Sequence, residues 1–444
     1  MKRLFWLSTL LLASAPAAAE DLIEIYRQAQ ANDPVWAAAR ANYEANVEKA
    51  PQGRAQLLPN LSLSANATDT DLRSRSPTVD GSFRFGSQGY SVNLTQPLYR
   101  KQNAAAYAQG QYQANQAEHE LAGAHHDLML RVAQVYFGVL AALDVHEFSV
   151  TERTAIERIL ALARRNYAVG AASLVDVHEA EARLDAARAQ EIAAVTDIEA
   201  KREALRALLG AKPGRLARLK RLAPQPPEPA DAEKWAEQAL RANPTVLARA
   251  QALEAAKQEL EKSRAGHAPT LDLTAGHSFS DAGGSVFGTY SEQRSNQVGL
   301  LFQLPLYQGG AVSSKVRETA ARRDEAASRM DQAKREAAQQ ARQYYLAALN
   351  GIARVKALEL ALASNQRALE TTILGFERGN RTGVDVLNTQ RNLFRTRRDL
   401  SQARYDYLLN RLRLLSAAGQ LEDAAIEDIN RQLGDNPIGN NGKS

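Results

Sequence analysis

The chain has no cysteine among its 444 residues, and only 6% of them are aromatic. The first absence excludes a disulfide framework, a thiolate metal site, a cysteine nucleophile and a lipid-acylated N-terminal cysteine. The second is thin for a large globular core, yet 45% of the residues are hydrophobic, and alanine swells that class. Past the N-terminus, no run approaches the ~20 consecutive apolar residues of a membrane-spanning helix. Charge of one sign is also scarce. The 55 basic and 50 acidic side chains leave a net +5, too little for this length to point to nucleic acid. Proline is missing from residues 104–168 and 311–375. What is plentiful is Ala, Leu, Glu, Gln, Arg and Lys, the composition of long helices.

The N-terminus places the chain in a compartment. Lys2-Arg3, the apolar stretch Leu4 to Ala15 and the small residues Ala17-Ala18-Ala19 have the order of a secretory signal peptide cleaved after Ala19. Its apolar stretch is too short to span a bilayer. Two of the basic groups lie within it, so the mature chain carries +3. An exported chain of this kind is periplasmic, secreted or held in an outer membrane.

The mature chain is one unit written twice. Asn32-Asp33-Pro34-Val35 matches Ala242-Asn243-Pro244-Thr245, and Leu58-Pro59-Asn60-Leu61 matches Ala268-Pro269-Thr270-Leu271. Gln96-Pro97-Leu98-Tyr99 matches Leu304-Pro305-Leu306-Tyr307, and Tyr167-Ala168-Val169-Gly170 matches Phe376-Glu377-Arg378-Gly379. All four pairs are offset by 208 to 210 residues. Residues 1–19 are thus the signal peptide, 20–209 the first repeat and 231–420 the second. Residues 210–230, punctuated by Pro213, Pro224, Pro226, Pro227 and Pro229, link them. Residues 421–444 form a C-terminal segment, disordered from Asn436 onward.

Each repeat opens with a helix, Asp21 to about Lys49 and Asp231 to about Arg264. Two strands follow. Leu61, Leu63, Ala65 and Ala67 alternate with Ser62, Ser64, Asn66 and Thr68; Val92 and Leu94 alternate with Ser91, Asn93 and Thr95. In the second repeat Leu271, Leu273 and Ala275, then Val298, Leu300, Phe302 and Leu304, keep the same period of two. Each run is about ten residues, the length that crosses a bilayer as a tilted strand. Pro59, Pro97, Pro269 and Pro305 stand at the ends of the runs, where a missing N–H does least harm. The intervening loops, 69–89 and 281–295, hold Phe83, Phe85, Phe287 and Tyr290. These are either aromatics at the lipid headgroup level or ordinary loop side chains.

The proline-free stretches predict helices, and 104–168 as one helix is about 98 Å long. Leu128, Val132, Val135, Val139 and Leu143, and later Tyr405, Leu408, Leu412 and Leu415, have coiled-coil spacing. Gly170 and Gly379 break the long helices, which predicts hairpin tips at 170–173 and 379–382 and return helices over 174–209 and 383–418. Four membrane strands cannot close a barrel, and open edges are not tolerated in lipid. Three copies give twelve strands; two copies, giving eight, also satisfy the arithmetic.

These residues resemble the TolC family of outer-membrane exit ducts. The markers are the duplicated Leu-Pro-Asn-Leu and Ala-Pro-Thr-Leu, the Gln-Pro-Leu-Tyr and Leu-Pro-Leu-Tyr-Gln-Gly-Gly strand exits, and the two Val-Asp-Val tips. The resemblance implies a mainly α fold with membrane β: a homotrimeric, twelve-stranded outer-membrane barrel with four strands per protomer, continuing into a long periplasmic coiled-coil tunnel. It implies a location in outer-membrane lipid with most of the mass in the periplasm. It also implies a passive channel with no cofactor, partnered by a periplasmic adaptor and an inner-membrane ABC or proton-driven transporter. The missing lipid-anchor cysteine resembles the unacylated branch, which tilts the reading toward type I protein secretion over multidrug efflux. In the family the closed periplasmic entrance is held by side-chain links near the hairpin tips. By motif, Arg381 pairs with Asp176, while Phe376 stands where the family has a tyrosine. Asp385 and Asn388 occupy the positions of an acidic pair, so one carboxylate is lost, and a looser closed state is implied. Read without the motif, Asp176 and Arg381 are solvated surface charges.

Other constellations point nowhere. His125-His126 are about 100° apart on a helix with no third ligand at helical spacing. No Gly-x-Ser-x-Gly elbow or phosphate-binding loop occurs. The basic run Arg215, Arg218, Lys220 and Arg221 reads as a solvated face. A soluble periplasmic coiled-coil adaptor or scaffold is the alternative to a duct. The four alternating strands separate the two, because an adaptor needs no lipid-facing face.

Overall fold

The computed structural model describes residues 19–170, 172–220, 222–285 and 287–434; nearly all of the expected signal peptide and the tail Asn436–Ser444 lie outside them. The first half forms α1 (Leu22–Asn32), α2 (Pro34–Val47), α3 (Lys49–Ala55), β1 (Asn60–Arg75), β2 (Asp80–Arg100), α4 (Lys101–Ala168) and α5 (Leu174–Leu209). The second half repeats the order with α6 (Ala232–Ala242), α7 (Pro244–Arg264), β3 (Thr270–Ala282), β4 (Ser291–Gln303), α8 (Ala311–Glu377) and α9 (Gly383–Ala417), and ends in α10 (Asp423–Asn430).

The opening helix of each half is two helices, not one. Asn32-Asp33-Pro34 explains the first break. Pro34 has no N–H to continue the ladder, and the Asp33 carboxylate accepts from the Trp36 N–H at 3.0 Å to start α2. Arg131 of α4 satisfies the same carboxylate, whose side chain is only 4% exposed. Asn243-Pro244 makes the matching break between α6 and α7.

The chain forms two units. One, of residues 39–122 and 244–335, contains the sheet, in the order β1-β2-β3-β4 with every neighbour antiparallel. β1 and β4 are its unpaired edges. The register puts Leu61, Leu94, Ala275 and Val298 in one row, and Tyr90 with Phe279 in another, on one face. Leu61, Leu63, Val298, Leu300 and Phe302 of that face are 63–78% exposed. Ser64, Ser91 and Ser278 line up on the opposite face, where Ser64 and Ser91 share a 2.8 Å hydrogen bond.

The strands are longer than the alternation predicted. β1 has 16 residues and β2 has 21, so most of the expected loop 69–89 is paired strand. Apolar alternation stops at the edge of the apolar band, whereas backbone pairing does not need it. Pro59 and Pro269 directly precede β1 and β3, and Pro305 follows β4. Pro97 lies inside β2, at a register shift between Pro97 and Tyr99 that accommodates its missing donor. The Arg100 guanidinium grips the buried Asp272 carboxylate with two hydrogen bonds at 2.8 and 2.5 Å, joining β2 to β3.

The other unit holds the rest of the described chain and is helical. Its core includes Leu22 and Ile25 of α1, Leu128, Val132, Tyr136, Phe137 and Leu140 of α4, and Leu408 and Leu412 of α9, all under 2% exposed. Each such side chain contributes about 1.5–3 kcal/mol of burial. Phe137 stacks on Tyr405 with centroids 5.6 Å apart. The buried stripe of α4 is wider than the predicted seam. Val135 and Leu143 are only partly covered, while Tyr136, Phe137 and Leu140 are sealed. The reason is a second layer. The 210–230 segment docks as well as connects: Leu216, Ala217, Leu219 and Leu222 are buried, and the Tyr136 hydroxyl donates to Ala217 O at 2.7 Å. Arg218 therefore departs from the expected solvated face. Its side chain is 26% exposed and pairs with Glu147, while Arg215 and Lys220 do face solvent. Residues 218–219 also pair with 433–434 as a two-residue ribbon.

Asp144 is half-buried at the side of this core, accepting from Ser401 Oγ at 2.5 Å and the Tyr405 hydroxyl at 2.9 Å. Burial pushes its carboxyl above the ordinary 3.8, an effect opposed by those hydroxyls and by Arg218. A carboxyl raised in the folded state contributes stability in acid that is lost as pH rises from 3.8 through the folded value. Asp144→Asn keeps an acceptor and removes the ionisation. The variant is expected to melt no lower than the parent at neutral pH, with a flatter pH dependence above pH 4. A fall of more than about 2 kcal/mol at pH 7 sinks this account.

Candidate functional site

Both helical hairpins turn at the glycines the sequence singles out. Gly170 and Gly379 have φ of +74° and +78°, a region closed to most side chains. Their N–H groups donate to Tyr167 O and Phe376 O, each at 3.0 Å.

The return helices begin with the same device. Ser173 N–H and Oγ donate to the Asp176 carboxylate at 3.0 Å, and Asp176 N–H donates back to Ser173 Oγ at 3.3 Å. Thr382 N–H donates to Asp385 at 3.0 Å, and Asp385 N–H donates to Thr382 Oγ1 at 3.2 Å. Both aspartates, chosen from the sequence as gate groups, are thus the acidic members of capping boxes. The Asp385 carboxyl is held below 3.8 by the Thr382 N–H first, then its hydroxyl, with Arg381 adding a smaller pull.

Within one chain the tips do not bring Arg381 to Asp176; no ion pair joins them among the described residues. Arg381 faces Asp385 electrostatically, and its aliphatic stem covers Gly375. The Phe376 ring lies over Gly383 at the start of α9. Asn388 is exposed, and its side-chain oxygen accepts from Arg183 of α5 at 3.3 Å.

Three features escaped the sequence reading. One is the capping boxes themselves, legible as Ser-x-x-Asp and Thr-x-x-Asp. The second is the link between the hairpins through Arg183 and Asn388, which no local pattern announces. The third is a cavity of about 360 Å³ lined by Glu152, Arg183, Gln390, Arg391 and Arg398. Burial pushes the Glu152 carboxyl up, and Arg398 and Arg391 pull it back. Beneath it Ile156, Leu160, Val177, Leu184 and Leu387 form an apolar cluster that fastens α9 to the first hairpin. His125 lies apart from any such site, with its Nε2 2.5 Å from the Tyr26 hydroxyl and its ring 5.5 Å from Trp36. The arrangement is a pair of helical tips, each started by a capping box and carrying charged side chains.

The chain matches the family model "Outer membrane efflux protein" twice, over residues 25–211 and 235–420. It is 32% identical over 421 residues to outer membrane protein TolC of Vibrio cholerae, with 94% of each chain covered. It is 30% identical to the alkaline protease secretion protein AprF of Pseudomonas aeruginosa, covering 96% of this chain and 91% of that one. The solved outer membrane protein VceC of Vibrio cholerae has the same fold, with a TM-score of 0.79 at 20% identity over 90% of this chain and 97% of that one.

Proposed function

The chain belongs to the outer membrane efflux protein family, and from that premise we propose that three copies join their sheet edges into one twelve-stranded barrel. The protein is an outer-membrane exit duct. The observation that carries the assembly is the sheet: one face apolar and exposed, two edges unpaired. Lipid covers such a face, and only closure with other copies satisfies such edges. The soluble-adaptor alternative leaves both unexplained.

The mature chain begins after Ala19, exported by its signal peptide. The capped tips of the two hairpins form the periplasmic entrance, and Asp176, Arg381, Phe376, Asp385 and Asn388 set how tightly it shuts. A periplasmic adaptor and an inner-membrane transporter engage the helical part and supply the energy, since the duct itself catalyses nothing. Protein export by a type I system is the favoured cargo class; the relative AprF carries protease secretion in its name.

Fractionation of cells expressing the full chain tests this. Recovery in the outer membrane, migrating on unheated gels at three times the chain mass, is the expected result. Recovery as a soluble periplasmic monomer defeats the reading.

A further inference from the structure

The alternation along β1 and β2 inverts partway. From Leu61 to Ala67 the apolar residues lie on the lipid-side face and Ser62, Ser64, Asn66 and Thr68 on the other. Beyond that point the lipid-side face carries Asp69, Asp71, Arg73, Arg75 and Arg84, with Arg84 paired to Asp69 at 2.6 Å. The opposite face, serine and asparagine until then, carries Leu72, Phe83 and Phe85. Leu72 stands directly opposite Phe83.

This inverted part is also where the sheet narrows. β3 pairs with β2 only as far as Ala282 opposite Ser87, while β1 and β2 stay paired to Arg75 opposite Asp80. A ribbon of seven residue pairs, from Asp69 opposite Gly86 to Arg75 opposite Asp80, roughly 20 Å long, therefore projects past the four-stranded sheet. Phe85 is partly covered by its own unit. Gly283 N–H donates to Gly86 O at 2.8 Å, and a β-carbon on Gly284 would meet Phe85 Cβ at 2.9 Å. Leu72 remains 41% exposed.

We propose that the projecting β1–β2 ribbons of three copies turn Leu72, Phe83 and Phe85 toward one another and form an apolar collar at the outer mouth of the duct. This rests on the trimeric exit-duct reading. Charge decides the direction: the face bearing five ionised side chains belongs in water at the rim, which leaves the apolar face toward the axis. Edge closure decides the occupant, because β1 joins β4 of the next copy and brings the same ribbon round three times. An apolar constriction resists wetting and narrows conduction without any charged gate. The duct then has a narrow point besides the one at the helical tips.

The absence of cysteine makes the test clean. Phe83→Cys, Ser64→Cys and Asp71→Cys are each made as the only cysteine in the full chain, and the purified trimers are treated with a short bismaleimide. The collar predicts covalent dimers from Phe83→Cys and none from the mid-barrel Ser64→Cys or the outward Asp71→Cys. Phe83→Cys that stays uncoupled while the protein runs as a trimer overturns the collar and leaves the duct reading standing. Failure of all three variants and the parent to form a trimer overturns the assembly and the collar together. As a second readout, Phe83→Ser/Phe85→Ser added to Arg381→Ala, which removes the resistance of the tips, is expected to raise single-channel conductance in planar bilayers severalfold above Arg381→Ala alone; unchanged conductance in that background overturns the narrowing.

Discussion

Replacing Gly419 with alanine is expected to destabilise the protein by about 2–4 kcal/mol, against about 1 kcal/mol for the same change at Gly210. The two glycines occupy equivalent places in the duplicated chain. Each ends a return helix with left-handed backbone, φ +71° at Gly419 and +69° at Gly210. Alanine pays the left-handed strain at both. The surroundings then separate them. At Gly210 the nearest atom to an added β-carbon is Asn32 Cβ at 3.8 Å, an ordinary contact. At Gly419 the added carbon collides with the Ala242 carbonyl and lies 3.0 Å from Asn243 N. The collision cannot relax cheaply, because Asn243 is pinned there by donating its side-chain amide to Ala417 O at 2.9 Å. Gly419 N–H and Gln420 N–H in turn close the end of α9 on Ser416 O and Leu415 O, at 3.0 and 2.8 Å. Thermal or urea unfolding of the two purified variants measures the difference. Equal losses show that left-handed strain alone matters and that the approach of α9 to the α6–α7 break does not.

Much of this architecture is legible because it is written twice. The breaks at Gly170 and Gly379 and the strand-flanking prolines can be read against each other, and a feature seen in both copies is no accident of composition. What resists reading falls into two kinds. The first is structure carried by backbone pairing with no core beneath it. Residues 69–75 and 80–89 look like loop because their charged and glycine-rich composition hides a polarity that has inverted, not vanished. The second is long-range packing. Nothing local marks 216–222 as core, since Leu216, Ala217, Leu219 and Leu222 become buried only when Tyr136 of α4 reaches them. The tip aspartates Asp176 and Asp385 are a mixed case. Their position at the tips follows from the motif, but their partners within one chain are Ser173 and Thr382, and a cap was spelled out three residues upstream of each.

Opening of the periplasmic entrance is the second large effect. Arg381→Ala is expected to raise single-channel conductance of the purified protein severalfold, and Asp176→Ala to do the same. Within one chain neither residue satisfies the other: Asp176 caps α5, and Arg381 leans toward Asp385. A latch between them would therefore join different copies, and its loss must be separated from loss of a cap. Removing a cap weakens a helix start by about 0.5–2 kcal/mol, which loosens one tip without removing a link between tips. Ser173→Ala serves as that control, since it abolishes the side-chain cap of α5 and leaves Asp176 and Arg381 in place. Conductance that rises equally in all three variants assigns the effect to tip stiffness. The charge exchange Asp176→Arg/Arg381→Asp goes further. Each tip then loses its native group, yet the opposite charges still meet if the pair spans two copies, and conductance returns toward the parent value. Arg381→Lys adds the geometric test, because an ammonium keeps the charge but not the two-pronged grip of a guanidinium on a carboxylate. Parent-like conductance in both Arg381→Ala and Asp176→Ala eliminates the latch, leaving the two residues as a cap and a solvated charge.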